Sequence, residues 1–410
     1  MVYKNQYWLG YVAQLISFAA LLAFNTVLPR AIGVENFAMI SLGYSVVFFG
    51  TLLLDEGFNV EVVMSKRRDW YAIIKLKMVS CAMMCLAISG GLPWALHYLD
   101  VKPAYMGPLQ VFALNIVFVP FVSAVSSYFI AVNRNDVVIL INIVAGVIIT
   151  AIPLTIALLF RSEWAIVNSI TISYALITLV SAYLFFKDNK GRTLMSLPAP
   201  GLLLKSIDQS AGSLTNVFFT WGIFIILTKY YGIEVAVYNK IAYSICNAAC
   251  ALLPLSSMNL YKLVSFDDAA AVQYFKKLLL VIAISAVLGS TGLYLIGSRV
   301  IGLLLGEKLA ASITYIRYLS FVIVLKAITD MLRPIVLQKF GHAYLLVASV
   351  ASILAGLAVI WLNHQYHFIK VYHLYYTAYA ALLALFIVPI VVDRMRKYYG
   401  AVEYHHSLSE

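Results

Sequence analysis

Twelve apolar stretches, each near 20 residues or longer, leave this chain few folds to choose from. They fall at about 7–29, 36–58, 72–97, 104–132, 137–160 and 164–186, and again at about 207–231, 235–264, 273–297, 310–337, 342–363 and 371–392. A helix of about 20 apolar residues crosses the hydrocarbon of a bilayer. Within lipid, only helices and closed barrels satisfy their own backbone polar groups. Composition agrees, since 63% of the residues are hydrophobic and 11% charged, whereas about half apolar is usual for a soluble domain. The chain therefore reads as an all-α integral membrane protein with about twelve transmembrane helices. Trp8 to Leu28 is too long for a signal-peptide core, so the first helix is expected to stay.

A second feature divides the chain in half. Leu28, Arg30, Gly33, Val34 and Glu35 recur as Leu227, Lys229, Gly232, Ile233 and Glu234, all at one offset of 199 residues. In both places an apolar run ends, a cation and a glycine follow, and another apolar run begins. The longest polar interval, Lys187–Lys205, lies between the copies and carries the Pro, Gly and basic residues of a linker. The expected organisation is an N-terminal six-helix lobe (1–186), a cytoplasmic linker (187–206), a C-terminal six-helix lobe (207–392) and a cytoplasmic tail (393–410). Paired halves of this kind are a transporter architecture.

The distribution of cations gives an orientation. With the N-terminus placed in the cytoplasm, nineteen of the 29 Lys and Arg face that side, seven face the other, and Lys240, Arg317 and Lys326 lie within spans. This bias matches the positive-inside rule with both termini cytoplasmic. Both halves then share one orientation, which makes the repeat a parallel one, related by a pseudo-twofold axis near the membrane normal. The net charge of +11 is accounted for by the membrane and not by nucleic acid.

Charges within spans are costly unless they face a cavity or a partner. The tenth span carries Arg317, Lys326, Asp330 and Arg333. At 100° per residue the last three fall within about 60° of one another, with Arg317 opposite. Lys326 and Asp330 stand at i,i+4 and can neutralise each other, leaving Arg333 as net positive charge. Lys240, in the eighth span, either lines a cavity or snorkels outwards. Arg30 and Lys229 either form a cationic outer mouth or anchor the interface. Asp55 and Glu56 close the second span, where they can pair with Arg67 or Arg68, couple to a cation, or gate a cleft. The amides of Gln14 and Asn25 in the first span, and of Gln209 and Asn216 in the seventh, are candidate cavity groups beside their ordinary role in interhelical hydrogen bonding.

Other residue types carry less. Cys81/Cys85 and Cys246/Cys250 read as small apolar filler, and His364, His367 and His373 read as a wet loop, so no metal or cofactor is expected. The chain has no G-x-x-x-x-G-K, H-E-x-x-H or G-x-S-x-G motif, and no loop large enough for an extramembrane catalytic domain. It reads as a non-enzyme.

Three segments carry a family likeness: VLPRAIGVENFAMISLGYSVVFFGTLLLDEGFN at 27–59, NRNDVVILINIVAGVI at 133–148 and KFGHAYLLVASVASILAGLAVIWLN at 339–363. They resemble the bacterial polysaccharide (O-antigen, Wzx-like) flippases of the multidrug/oligosaccharidyl-lipid/polysaccharide (MOP) exporter superfamily. The resemblance implies two six-helix lobes in a V around a cationic cavity, working by alternating access in the bacterial inner membrane. It implies an undecaprenyl-diphosphate-linked oligosaccharide as cargo, moved from the cytoplasmic to the periplasmic leaflet. The partners implied are membrane lipids, a polysaccharide polymerase and a chain-length regulator. By position, Arg30, Lys240, Lys326 and Asp330 match the family's functional charges, whereas Glu56 is an addition beside the usual single acid at Asp55. A diphosphate calls for cations, and sugars for amides and aromatics; the 28 tyrosines and six tryptophans can supply the latter. Proton or sodium coupling at Asp330 or Asp55 is compatible with this reading. Two rivals remain: a cation-coupled drug or metabolite exporter of the same superfamily, and a membrane glycan polymerase or transferase.

Overall fold

The computed structural model describes residues 2–64, 70–99, 101–160, 162–189, 201–210, 214–251, 253, 269–366 and 370–407, with side chains between Leu15 and Val392 apart from further gaps. Among these residues the chain is helical throughout, joined by short turns. In the first half, α1 (Val2–Ile32), α2 (Val34–Met64), α3 (Trp70–Tyr98), α4 (Met106–Ala113), α5 (Asn115–Ala131), α6 (Asn135–Phe160) and α7 (Glu163–Asp188) follow one another. Then come α8 (Leu202–Ser210), α9 (Leu214–Val217), a π-helical turn (Phe218–Gly222), α10 (Ile223–Tyr231) and α11 (Ile233–Ala251). The chain continues through α12 (Ala269–Gly292), α13 (Ser298–Leu305), α14 (Ala311–Leu319), α15 (Val322–Tyr366) and α16 (His373–Ser407).

Eight helices among the described residues are long and apolar enough to cross a membrane. The difference from twelve apolar stretches is local. The first stretch is described as the shorter apolar helix Phe18–Ile32, the seventh and eighth are described only in part, as α8 to α11, and the tenth and eleventh run together as the 45-residue α15, whose backbone leaves helical geometry at Gly341.

The repeated sequence folds the same way twice. Gly33 ends α1 with φ of 85°, and Gly232 ends α10 with φ of 84°. This left-handed region is open to glycine at little steric cost. The next helix starts alike in both copies, with Phe37 N–H donating to Gly33 O and Ala236 N–H donating to Gly232 O, each at 3.2 Å.

The chain forms two compact units, each assembled from separate stretches of sequence. One comprises Met1–Leu252 with Gly292–Ser320, the other Leu253–Thr291 with Phe321–Glu410. In the first unit α2 is the central element, packed on α3, α5, α8 and α11, while α1 lies against α6 and α11. Its crossing with α8 is close. A Cβ at Gly57 would collide with the Ser206 carbonyl, and Gly57 N–H donates to Ser210 Oγ at 3.0 Å. Leu86, Trp94, Leu158, Leu159 and Leu179 point outward from this unit, as lipid-facing side chains must. In the second unit α15 and α16 form an extensive pair, burying Leu345, Ala348, Leu374, Tyr375, Ala378, Leu382 and Phe386. Tyr344 donates its hydroxyl to Leu385 O at 2.5 Å across that pair. The linker residues 190–200 lie outside the described residues, and of the tail only backbone is described, helical through Ser407.

Candidate functional site

Asp55 is not at the end of its helix, because α2 runs on to Met64. It pairs with Lys77 of α3, while Arg67 and Arg68 lie outside the described residues. Lys77 is wholly buried, at 0% exposure, although its sequence position groups it with cytoplasmic loop cations. Its ammonium donates to Asp55 Oδ1 and Asn59 Oδ1, each at 2.7 Å, and to Ser123 Oγ at 3.0 Å. Asn59 returns a 3.3 Å hydrogen bond to Asp55 Oδ1, and the Ser123 hydroxyl reaches the same oxygen. Three helices thus converge on one neutralised pair. Asn59 follows Asp55 by one helical turn on α2, which is the one local signal of this network in the sequence.

Lys240 is held differently. It is 5% exposed, in the middle of α11, and its ammonium donates to Thr220 O at 2.7 Å. It also stands 3.2 Å from the ring centroid of Trp221. Phe48 stacks on the same indole at 4.5 Å with planes 16° apart. An ammonium and a stacked ring cannot share one face at those distances, so Trp221 is sandwiched between them. Tyr44 continues the aromatic group, 5.5 Å from Trp221 and 4.9 Å from Phe112. The π turn Phe218–Gly222 supplies both Thr220 and Trp221, and such turns inside helices are frequent at functional sites. Among the described residues no carboxylate pairs with Lys240. Close by in the chain, Thr220 Oγ1 and Asn216 Oδ1 are buried without a hydrogen-bond partner. The ammonium is thus buried with spare donors, set on a π face and a single carbonyl.

The third cluster belongs to the second compact unit. Lys326 Nζ lies 2.9 Å from Asp330 Oδ2, and Arg333 Nη2 lies 3.1 Å from Asp330 Oδ1. One carboxylate therefore serves two cations, as the helical spacing predicts, and the triad keeps a net positive charge. Arg317 belongs to the first unit, where it is exposed on α14.

The repeated cations each reach the opposite half of the sequence. Lys229 donates to Tyr98 O at 2.7 Å, with its ammonium 5.0 Å from the Tyr98 ring. Arg30 lies against Gly306, where a Cβ would stand 3.6 Å from its Nε. Asn25 is buried and donates to Leu21 O of its own helix at 2.8 Å. The side chains of Gln14, Glu56 and Gln209 lie outside the described residues. Sequence reasoning missed Lys77, Asn59, Ser123 and the Trp221 sandwich.

Solved membrane proteins share this fold. An inward-facing multidrug resistance MATE family transporter of the MOP superfamily matches with a TM-score of 0.67 at 12% identity, covering 94% of this chain and 98% of that one. The lipid II flippase MurJ, in an inward closed conformation, matches with a TM-score of 0.68 at 11% identity, over 94% of this chain and 87% of its own. A MOP superfamily transporter from Pyrococcus furiosus, whose binding pocket has reversed polarity, gives 0.61 at 10% identity over 94% of both chains. At such identities the likeness establishes the fold. No curated protein matches the sequence. The profile of the family described as "Polysaccharide biosynthesis protein" matches residues 2–261, a stretch that includes both the Asp55–Lys77 network and the Lys240 site. With well over half of its length matched and a MOP transporter fold, the chain belongs to the polysaccharide biosynthesis protein family.

Proposed function

We propose that this protein is a flippase for undecaprenyl-diphosphate-linked oligosaccharide repeat units of the O-antigen type. In this reading two parallel six-helix lobes, twelve spans in all, alternate access and carry the cargo from the cytoplasmic to the periplasmic leaflet of a bacterial inner membrane. The observation that carries it is Lys240, a buried ammonium with no carboxylate partner among the described residues. A diphosphate is the class of ligand that such a group stabilises, through charge-assisted hydrogen bonds. Family membership and a fold shared with a lipid II flippase support the same reading. Lys326 and Arg333, sharing Asp330, supply a second positive station, and Arg30 and Lys229 a third. A cationic drug would meet the wrong sign of charge at Lys240, which sets the exporter reading behind this one. Two negative charges crossing outward down an inside-negative potential of about 100 mV release roughly 4–5 kcal/mol, enough to bias the movement without ATP. Ion coupling at Asp55 or Asp330 would have to work around the lysine that each already holds.

The test is genetic and biochemical together. Removing the protein is expected to strip surface polysaccharide and to leave lipid-linked repeat units in the inner leaflet. Lys240→Ala is expected to do the same with membrane abundance unchanged, and Lys326→Ala and Arg30→Ala to lower surface glycan. Wild-type surface glycan without the protein would overturn the reading. Wild-type glycan in all three variants would overturn the assignment of these residues.

A further inference from the structure

A cavity of about 340 Å³ lies within the first compact unit, between α2, α5, α6 and α7. Its volume falls in the range of small-molecule sites, about 300–1,000 Å³. Six of its eleven lining residues are polar and uncharged: Asn59, Ser123, Ser126, Ser127, Asn142 and Tyr174. The other five are aliphatic, and among the described residues no charged side chain lines it. Those residues offer a phosphate no cation and a cationic drug no carboxylate.

The polar groups are of two kinds. Asn59 and Ser123 are fixed from behind by the Lys77–Asp55 pair, so their orientation is set before any ligand arrives. Ser126, Ser127 and Asn142 have no hydrogen-bond partner among the described residues. Serines in apolar helices ordinarily bond back to a carbonyl three or four residues earlier, as Ser45, Ser173 and Ser206 do here. Ser127 does not, although it is only 6% exposed. A hydroxyl without a protein partner at a cavity wall is satisfied by whatever hydrogen-bonding occupant the cavity holds, water or ligand.

We propose that this cavity is a carbohydrate subsite that takes one uncharged sugar ring of the lipid-linked cargo. A sugar ring has hydroxyls at its edge and C–H groups on its faces, and the mixture of amides, hydroxyls and aliphatic walls complements both. The proposal rests on the flippase reading and deepens it. The subsite is also linked to the cation. Tyr174, at the cavity wall, neighbours Tyr44, and Tyr44 lies 5.5 Å from the Trp221 ring that carries Lys240. A sugar in the cavity and a phosphate at Lys240 would thus press on one aromatic group from two sides.

The experiment compares two probes on the full-length protein in nanodiscs: undecaprenyl diphosphate bearing a single N-acetylglucosamine, and bare undecaprenyl diphosphate. Wild type is expected to bind the sugar-bearing lipid about tenfold more tightly, the effect of one or two hydrogen bonds. Ser127→Ala combined with Asn142→Ala is expected to cut that preference about fivefold or more, with bare-lipid affinity held. Ile149→Phe, which takes up cavity volume and keeps every polar lining residue, is expected to do likewise, and guards against a fold defect in the polar variant. An unchanged preference in both variants, or no preference in wild type, would overturn the subsite alone. If wild type binds neither lipid, the flippase reading falls and the subsite with it.

Discussion

Lys77 and Lys240 are both lysines buried in apolar helices of the same compact unit, at 0% and 5% exposure, yet their surroundings differ in kind. Lys77 is surrounded by a carboxylate, an amide oxygen and a hydroxyl. Lys240 has one carbonyl and the face of an indole. In a low dielectric an isolated charge is expensive, and paired groups of opposite sign restrain each other. Lys77 is therefore part of the scaffold, its charge already answered within the protein. The charge of Lys240 is answered only in part, and on the proposed function a passing diphosphate answers the rest. Both lysines are buried; what differs is the carboxylate, which Lys77 has and Lys240 lacks among the described residues.

The contrast can be broken first at Lys77. Asp55→Asn strands a fully buried ammonium, and losing one partner of a buried pair costs about 3–5 kcal/mol. The expected result is a large fall in thermal stability and in membrane abundance. Adding Lys77→Met to that variant should recover much of the loss, since it removes the stranded charge as well. Should Asp55→Asn melt like wild type, Lys77 would not be the scaffold element described above.

The triad of the second unit is the intermediate case. Lys326, Asp330 and Arg333 have side-chain exposures of 8%, 23% and 17%, so water shares in stabilising them. Asp330→Asn leaves two cations facing each other, with an expected loss of about 1.5–3 kcal/mol, the worth of a hydrogen bond to a charged group. Unfolding in detergent by temperature or denaturant measures it. A loss as large as that of Asp55→Asn would make the triad a scaffold pair like Lys77.

Lys240→Met sharpens the comparison in the other direction. A thioether on Trp221 replaces a cation–π contact by a sulfur–aromatic one of similar strength, so stability should change by about 1 kcal/mol or less. Surface glycan, by contrast, should be lost. Stability that moves while glycan export does not would turn Lys240 into a second Lys77.

The sequence makes some of this legible and hides the rest for physical reasons. The helices follow from apolar length, since lipid leaves the backbone little alternative. The Gly33 and Gly232 turns follow from the repeat, and the Lys326–Asp330 pair from i,i+4 spacing, because each depends only on local geometry. Asp55 is recognisable as a residue in need of a partner, but Lys77 is not recognisable as that partner. Its burial depends on how α2, α3 and α5 meet, and its neighbours in sequence are those of an interfacial cation. The Trp221 sandwich is hidden for a further reason: a π turn changes which side chains share a face, so a 3.6-residue count misplaces it. The continuation of α2 past Asp55 to Met64 is missed because an Asp-Glu-Gly run resembles a helix end, whereas Gly57 is there for the close crossing with α8.

The smallest effect completes the series. Glu35 and Lys102 form an ion pair with oxygens 3.0 Å from the ammonium, the same chemistry as Asp55 with Lys77, but with side chains 64% and 63% exposed. Glu35 belongs to the repeated turn, and Glu234 holds the matching place in the second copy. If the pairing itself were what mattered, Glu35→Gln would resemble Asp55→Asn. Solvent screens an exposed pair and both long side chains lose entropy in making it, so the expected cost is about 0.5 kcal/mol or less. Thermal unfolding at low and high salt measures it, with any difference from wild type expected to vanish as salt rises. A salt-insensitive loss of several kcal/mol would mean that this turn is itself a loaded element of the fold, and that burial is not what grades these pairs.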